Sequence, residues 1–184
     1  MSVQPRKPGH LEKMIENQPV SVDPDDPDRF QMRIARDGTW YHQGGPIRRM
    51  GLVKLFATVL RRDEAGDFWL VTPVERGRIE VEDAPFTAVE LIVAGEGKDQ
   101  ILSFRTNLDE IVPVDADHPL RVAENEVTGE PSPYVTVREN LEALITRPIF
   151  YDLVSLAEEQ WDGGGTILGI WSGGVLFPLG DTVE

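Results

Sequence analysis

Residues 34–60 read IARDGTWYHQGGPIRRMGLVKLFATVL, and this stretch predicts the unit from which the fold is built. The Asp37-Gly38 pair is typical of a tight hairpin turn, because glycine tolerates the positive φ that such a turn requires. An aromatic strand follows at residues 39–42. Pro46 suits the first turn of a helix, where its missing N–H costs no hydrogen bond, and this helix is expected to run to about Leu60. The stretch therefore predicts a β-hairpin that leads into a helix.

The same order of elements returns in the second half of the chain. A strand at residues 134–138 is followed by a turn at Glu139-Asn140, in which asparagine is the expected residue of positive φ. Pro148 then begins a second helix with an apolar face, and a hairpin folds around Gly173-Gly174. The first half closes in the same way, with a hairpin around Arg76-Gly77. The order of hairpin, proline-led helix and hairpin therefore predicts an internal duplication.

This pattern predicts an α+β fold of two related hairpin, helix and hairpin units, with mainly antiparallel sheets packed as one compact body. Residues 86–104 predict a further hairpin, which turns at residues 95–99. The predicted boundaries are 1–30 for an N-terminal tail with a short helix, 31–114 for the first α+β unit, 115–133 for an acidic connecting segment and 134–184 for the second α+β unit.

The net charge of −14 is concentrated in the second half of the chain. Residues 1–95 contain 13 Lys and Arg against 15 Asp and Glu, whereas residues 96–184 contain 5 against 17. So acidic a surface repels nucleic-acid phosphates and anionic membranes, and neither is a predicted partner. The more balanced first half makes a small anionic ligand the predicted partner, with a homo-oligomer as a further expectation.

The chain contains no cysteine, which excludes disulfides, thiolate nucleophiles and cysteine-ligated metal centres. It also shows no apolar segment of the kind found in a secretory signal, and no run approaches 18 apolar residues. The resulting prediction is a cytoplasmic location, and no cofactor or metal is expected.

Two arginines, Arg48 and Arg49, stand at the predicted start of the first helix, where positive charge opposes the helix dipole. Free backbone N–H groups lie at the same place, and both features favour a bound carboxylate or phosphate. Arg36, Trp40 and His42 lie in the adjoining hairpin. These five residues form the candidate ligand-binding site.

Each of these residues also has a purely structural interpretation. Arg48 and Arg49 can pair with acids such as Asp37 or Glu75 and stabilise only the fold, and surface pairs of this kind contribute little. Trp40 has the character of a core aromatic residue.

No catalytic residues are predicted, because the sequence shows no assembled nucleophile, base or metal set. One alternative is a hydrolase or lyase that uses His42 with a carboxylate such as Asp37 or Glu75. The segment Asp115-Ala116-Asp117-His118 offers metal-type ligands, but one histidine and two acids in a turn are more often solvated. A second alternative is a homodimeric partner protein that associates through exposed Trp and Phe side chains.

A series of short motifs runs through the chain in a fixed order. They are MRIARDGTW at 32–40, GPI at 45–47, LVKLF at 52–56, LRR at 60–62, LVTPVE at 70–75, VEDAPF at 81–86 and RPIFYDLV at 147–154. Together they resemble an uncharacterised proteobacterial family known as domain of unknown function 1285 (DUF1285), and the resemblance covers nearly the whole chain after residue 30. It implies a small α+β protein with repeated structural motifs and a role in ligand binding or signal transduction. The family has no established catalytic residues to transfer.

These observations together predict a cytoplasmic small-ligand-binding or interaction module rather than an enzyme. The ligand, the oligomeric state and the equivalence of sites in the two units are not determined by the sequence.

Overall fold

The computed structural model of the protein describes Asp26 and residues 29–181. The predicted tail helix and most of the segment 1–30 lie outside the described residues. The described part contains fifteen strands in three sheets and two α-helices. This composition confirms the predicted α+β class.

The first sheet and its helix are built from residues 32–81. Their elements are β1 (Met32–Ile34), β2 (Trp40–His42), β3 (Gly45–Pro46), α1 (Met50–Thr58), β4 (Leu60–Arg62), β5 (Phe68–Val71) and β6 (Arg76–Val81). The strand order is β3-β2-β1-β6-β5-β4. The central pair, β1 with β6, is parallel, and the other neighbours are antiparallel.

The remaining two sheets and the second helix follow from residue 86. Their elements are β7 (Phe86–Ala94), β8 (Ile101–Thr106), β9 (Ile111–Pro113), β10 (Leu120–Glu124), β11 (Pro131–Arg138), β12 (Leu141–Ile145), α2 (Arg147–Leu156), β13 (Glu158–Trp161), β14 (Thr166–Ser172) and β15 (Val175–Asp181). The second sheet has the order β10-β11-β12-β7-β8-β9, with β12 and β7 parallel, and β13-β14-β15 form the third sheet.

The internal duplication is confirmed. A hairpin, a helix and a three-stranded meander occur once as β1-β2, α1 and β4-β5-β6, and again as β11-β12, α2 and β13-β14-β15. The two copies differ in how the meander is used. In the first copy its last strand pairs with β1, whereas in the second copy the meander forms a sheet of its own.

The start of α1 differs from the prediction. Pro46 is not in a helix, because it pairs with Tyr41 as part of the edge strand β3, and the backbone N–H of Ile47 donates to Trp40 O over 2.8 Å. The helix therefore begins only at Met50. In the second copy, by contrast, Pro148 does lie in the first turn of α2, which begins at Arg147.

Two turn predictions are also corrected. In the hairpin β11-β12 the residue with positive φ is Glu139, at 49°, and not Asn140. Arg76-Gly77 is not a turn, because both residues lie in β6 and the chain reverses at residues 72–75, where Thr72 N donates to Glu75 O. The Asp37-Gly38 turn is as expected, with Gly38 at a φ of 85°.

The sheets divide the chain elsewhere than the predicted boundaries. The change from the first to the second sheet falls at residues 82–85 and not at 115–133. The strands β7, β8 and β9, which the sequence suggested for the first unit, pair with β12 and belong to the second sheet. Long-range pairing of this kind leaves no local signal in the sequence. Below, residues 29–84 are the first unit and residues 85–181 the second.

One continuous core joins the two units. Trp40 stacks on Phe56 in the first unit, with ring centroids 6.2 Å apart and planes inclined by 17°. Phe86 and Phe104 of the second sheet belong to the same cluster of buried side chains. Burial of apolar area from both units in one cluster is what makes them a single compact body, as predicted.

Position 77 in β6 requires glycine because the ring of Phe30 packs directly on the α-carbon. A Cβ at this position would lie 2.2 Å from Phe30 Cε2, and Phe30 is buried. We expect Gly77→Ala to lower the free energy of unfolding by about 1.5 kcal/mol, since the ring must move out of a packed site. Urea denaturation measures this change.

Gly51→Ala serves as the matched control for that substitution. Gly51 lies in α1, and a Cβ there meets nothing within 4 Å. It should leave stability unchanged or raise it by about 0.5–1 kcal/mol through helix propensity. Equal effects of the two substitutions would contradict the packing of Phe30 on Gly77.

Candidate functional site

A groove of about 450 Å³ opens at the border of the two units, and the second unit supplies all of its lining residues except Arg36. Its walls come from the β10-β11 turn, the end of β12 and the first turns of α2, and Arg36 reaches it from the first unit. The polar side chains along it are Arg36, Asn125, Glu130, Ser132, Thr146, Arg147 and Tyr151. The groove is thus the place where side chains from distant parts of the sequence converge around a volume that suits a small molecule.

Two arginines face this groove, and each carries only a loose ion pair. Arg36 Nε lies 3.4 Å from Asp83 Oδ2, and the Arg36 side chain is 66% exposed. Arg147 Nη2 lies 3.8 Å from Glu130 Oε1, and its side chain is 70% exposed. The Arg147 pair is exposed on both sides and contributes little to stability, whereas in the Arg36 pair only the arginine is exposed and Asp83 is 15% exposed. Both guanidinium groups are therefore available to an anion that enters the groove.

The start of α2 lies at the same groove, where the backbone donors left can only be those of Arg147 and Ile149, since Pro148 has no N–H. Thr146 precedes the helix and makes no side-chain cap hydrogen bond. The first backbone N–H groups of an α-helix have no partner within the helix and carry partial positive charge. They reinforce Arg147 in favouring a carboxylate or phosphate.

The rest of the groove is apolar. Pro133, Leu144 and Ile145 line it along the sheet, and Phe150 and Tyr151 line it from α2. Tyr151 is 63% exposed, which leaves an aromatic ring at the surface beside the cations. The combination suits a ligand that carries a negative charge at one end and a flat or apolar body.

A hydrogen-bonded junction lies beside the groove, where the chain passes between the sheets. The Tyr134 hydroxyl donates to Asp83 Oδ1 over 2.6 Å, and the backbone N–H of Arg36 donates to Glu82 Oε2 over 2.9 Å. Burial, and then the carboxylate of Asp83, raise the pKa of Tyr134 to about 12. Arg36 is thus anchored at the junction while its guanidinium reaches the groove.

The structure distributes the five predicted site residues over four places. Arg36 lines the groove. Trp40 is 1% exposed and lies in the core, as its structural interpretation predicted. His42 is half-buried on β2, opposite Met32. Arg48 and Arg49 are exposed in the connection between β3 and α1.

The carboxylates proposed as partners of these residues are engaged elsewhere. Asp37 Oδ1 accepts the backbone N–H of Thr39 over 2.9 Å, within the hairpin turn. Glu75 forms an ion pair with Arg29 at 3.3 Å. Neither acid therefore holds His42 as a general base, and neither pairs with Arg48 or Arg49.

The Asp115 to His118 segment forms a closed turn. Asp115 Oδ1 accepts the backbone N–H groups of Asp117 and His118, and it lies 3.1 Å from His118 Nδ1. Throughout the described part of the chain, no group of three or more His, Cys, Asp or Glu side chains is placed to hold a metal ion. Likewise, no helix described is long and apolar enough to cross a membrane.

Sequence reasoning missed most of the groove. Arg147, Glu130 and Tyr151 were not candidates, although Arg147 directly precedes the proline that marks the second helix. Arg147 shares with Arg48 and Arg49 the signal of an arginine at a helix start, but only the latter two were candidates. The position of Arg36 on the opposite wall of the groove could not be predicted.

The fold and the groove define a class: a two-unit α+β protein with repeated motifs and a polar groove between its units. The chain resembles the crystal structure of a DUF1285 family protein from Silicibacter pomeroyi DSS-3, with 44% sequence identity, coverage of 98% of this chain and 91% of that chain, and a TM-score of 0.78. A DUF1285 family protein from Shewanella baltica OS155 shares the fold at 24% identity, with 67% of this chain and 90% of that chain covered and a TM-score of 0.53.

Two family models divide the chain between them. The domain of unknown function (DUF1285), N-terminal domain, matches residues 18–84, and the protein of unknown function (DUF1285), C-terminal domain, matches residues 85–179. The chain belongs to the DUF1285 family, which confirms the resemblance carried by its motifs. The division between the two models coincides with the change of sheet at residues 82–85. No curated protein matches the chain.

Proposed function

We propose that this protein is a small-ligand-binding module and that its ligand is a small anion with an apolar or aromatic body. The ligand occupies the groove between the units, with its negative group between Arg36 and Arg147. The observation that carries this proposal is that these two exposed arginines, more than 100 positions apart in sequence, line one 450 Å³ groove together.

The charge distribution supports a small ligand over a large polyanion. The second unit, residues 85–181, carries 5 Lys and Arg against 17 Asp and Glu. A long anionic polymer that leaves the groove meets this acidic surface and is repelled by it. A small anion held within the groove avoids most of that repulsion while it gains charge-assisted hydrogen bonds from two guanidinium groups.

A thermal-shift screen tests the proposal. The panel contains inorganic phosphate, citrate, salicylate and nucleoside monophosphates. Each is titrated to about 10 mM, a concentration that reveals weak binding. We expect at least one compound to raise Tm in the native protein, and Arg36→Ala and Arg147→Ala each to weaken its binding by about tenfold. Arg105 lies on β8 and pairs with Glu90 on β7. Arg105→Ala is the control and should leave binding unchanged. A panel without any shift, or equal shifts in all four proteins, would overturn the proposal.

Glu130 competes with the ligand for Arg147. Its carboxylate is the group that now lies 3.8 Å from Arg147 Nη2, and both side chains are exposed. An incoming anion must displace it, so we expect Glu130→Gln to raise the affinity for the anion by about two- to fivefold. Isothermal titration calorimetry with the compound found in the screen measures the change.

Glu124→Gln controls for the general loss of negative charge. Glu124 is exposed at the end of β10 and makes no ion pair with the described residues. It should change affinity by much less than Glu130→Gln. An equal gain in both variants would mean that only the overall field, and not the release of Arg147, improves binding.

A role in signal transduction is part of the proposal, because a ligand held by arginines from both units changes how firmly the units are joined. Ligand binding of this kind needs no chemistry, in keeping with the lack of a carboxylate partner for His42 among Asp37 and Glu75. A cytoplasmic location and self-association stay predictions from the sequence.

A further inference from the structure

The outward face of α1 presents apolar side chains to solvent. Met50 is 48% exposed and Leu55 is 45% exposed, whereas Val53, Phe56 and Ala57 on the inner side are buried. The buried side of the helix is thus apolar as usual, and part of its exposed side is apolar as well. Lys54 is the one charged residue of the helix, and its ammonium group is already paired with Asp109.

Two cations beside this face have no partner among the described residues. Fifteen Lys and Arg residues lie in the described part of the chain, and thirteen of them contact a carboxylate, a backbone carbonyl or an aromatic ring. Arg48 and Arg49, directly before α1, contact none of these among the described residues. We call Arg48, Arg49, Met50 and Leu55 together the α1 face.

The lack of a carboxylate partner for Arg48 and Arg49 among the described residues is notable because acidic residues are abundant. The chain has 32 Asp and Glu against 18 Lys and Arg, so carboxylates to pair with are not scarce. The corresponding positions before α2 do not repeat the arginine pair. Counted from the helix starts, they hold Ile145 and Thr146.

The α1 face is also held rigidly. Lys54 Nζ forms an ion pair with Asp109 Oδ2 at 2.7 Å. At the end of the helix the Arg138 guanidinium donates to the carbonyl of Ala57. Both contacts join α1 to the second unit, so a partner that binds the outer face meets an ordered surface and pays little to order it.

We propose that the α1 face is the docking surface for an acidic, amphipathic segment of a partner protein. Carboxylates of the segment pair with Arg48 and Arg49, and its apolar side chains cover Met50 and Leu55. Charge complementarity selects this occupant, since the two cations with no carboxylate partner in the described part of the chain adjoin exposed apolar side chains. A flat anionic membrane is disfavoured because it faces the whole molecule, whose net charge is −14. A peptide segment faces only the patch.

Selection from a displayed library of random 16-residue peptides on the immobilised full chain tests this inference. We expect the enriched peptides to combine acidic residues with regularly spaced apolar ones. Fluorescence anisotropy with a synthetic enriched peptide should show about tenfold weaker binding to Arg48→Ala/Arg49→Ala and severalfold weaker binding to Leu55→Ser. Arg36→Ala/Arg147→Ala, which alters only the groove, should bind the peptide as the native chain does.

The remaining outcomes overturn the inference. They are no enrichment, enriched peptides without acidic residues, or enriched peptides that bind Arg48→Ala/Arg49→Ala as tightly as the native chain. Co-sedimentation with vesicles of phosphatidylglycerol and phosphatidylcholine forms a second arm. Vesicle binding that depends on Arg48 and Arg49, in the absence of peptide binding, would assign the face to a membrane instead. All variants are at exposed positions, and circular dichroism verifies that each is folded.

Discussion

Ser172→Ala is expected to lower the free energy of unfolding by about 3 kcal/mol. The Ser172 hydroxyl is fully buried, donates to Val114 O over 2.6 Å and accepts the backbone N–H of Leu102 over 2.9 Å. Both backbone groups belong to residues without solvent exposure, so neither can turn to water when the hydroxyl is removed. Each unpaired buried group costs about 1–3 kcal/mol. The loss is larger than for an ordinary serine because two groups lose their partner at once.

Ser155→Ala is the matched control, since Ser155 donates to Asp152 O over 2.7 Å at an exposed position in α2. It should change stability by less than about 0.5 kcal/mol. Chemical denaturation of the three proteins in parallel measures both effects. A loss below about 1 kcal/mol for Ser172→Ala would mean that Leu102 and Val114 find other partners, and that this serine does not tie the third sheet to the second.

Tyr134→Phe should cost about 2 kcal/mol at neutral pH, and the cost should disappear in strong alkali. The phenol donates to the carboxylate of Asp83, and hydrogen bonds to charged groups contribute about 1.5–3 kcal/mol. Burial and Asp83 raise the pKa of Tyr134 from 10.0 to about 12. A raised pKa means that the unfolded chain loses this proton first, so the contribution is complete below pH 10 and is lost as the pH rises to 12.

The measurement is urea denaturation of the native chain and Tyr134→Phe at several pH values from about 7 to 12. This range spans the unfolded and the folded pKa of Tyr134. The gap between the two proteins should be constant up to pH 10 and should close by pH 12. Tyr151→Phe, at an exposed position, controls for the loss of a hydroxyl. A gap that stays constant across the whole range would show that folding does not raise the pKa of Tyr134.

The repeated order of elements could be predicted from the sequence because its signals are local. Asp37-Gly38 turns the first hairpin, and Gly173-Gly174 turns the last one, with φ values of 56° and 78° in the latter. The strands of the β7-β8 hairpin also lie where the pattern of apolar residues predicted them. A turn or an apolar period is encoded within about ten residues, so neighbouring sequence suffices to predict it.

Pro46 shows why local signals also mislead. The same dipeptide, Pro-Ile, stands at residues 46–47 in an edge strand and at residues 148–149 in the first turn of a helix. Proline fits either place, since its missing N–H is tolerated at a sheet edge and at a helix start. Pairing with Tyr41 decided the first case. Arg76-Gly77, expected as a turn, likewise lies in a strand because both residues pair with β5.

Only Arg36 of the groove residues was a candidate from the sequence, and only the structure shows which side chains meet around it. The position of Arg36 opposite Arg147 depends on the parallel pairing of β7 with β12 and on the junction at Asp83. These contacts join residues more than 40 positions apart and leave no periodic signal in the chain.

The sequence by itself determined the α+β class, the duplicated unit, the family and the uneven charge, because turns, apolar periods and charge are properties of short segments. Tertiary structure alone decided where the sheets divide, where α1 begins and which side chains meet. Those outcomes depend on packing between distant residues, in which burial of a shared core outweighs local preference. The stretch at residues 34–60 thus supplies Arg36 to the groove, whereas its Arg48 and Arg49 lie exposed before α1 and away from the groove.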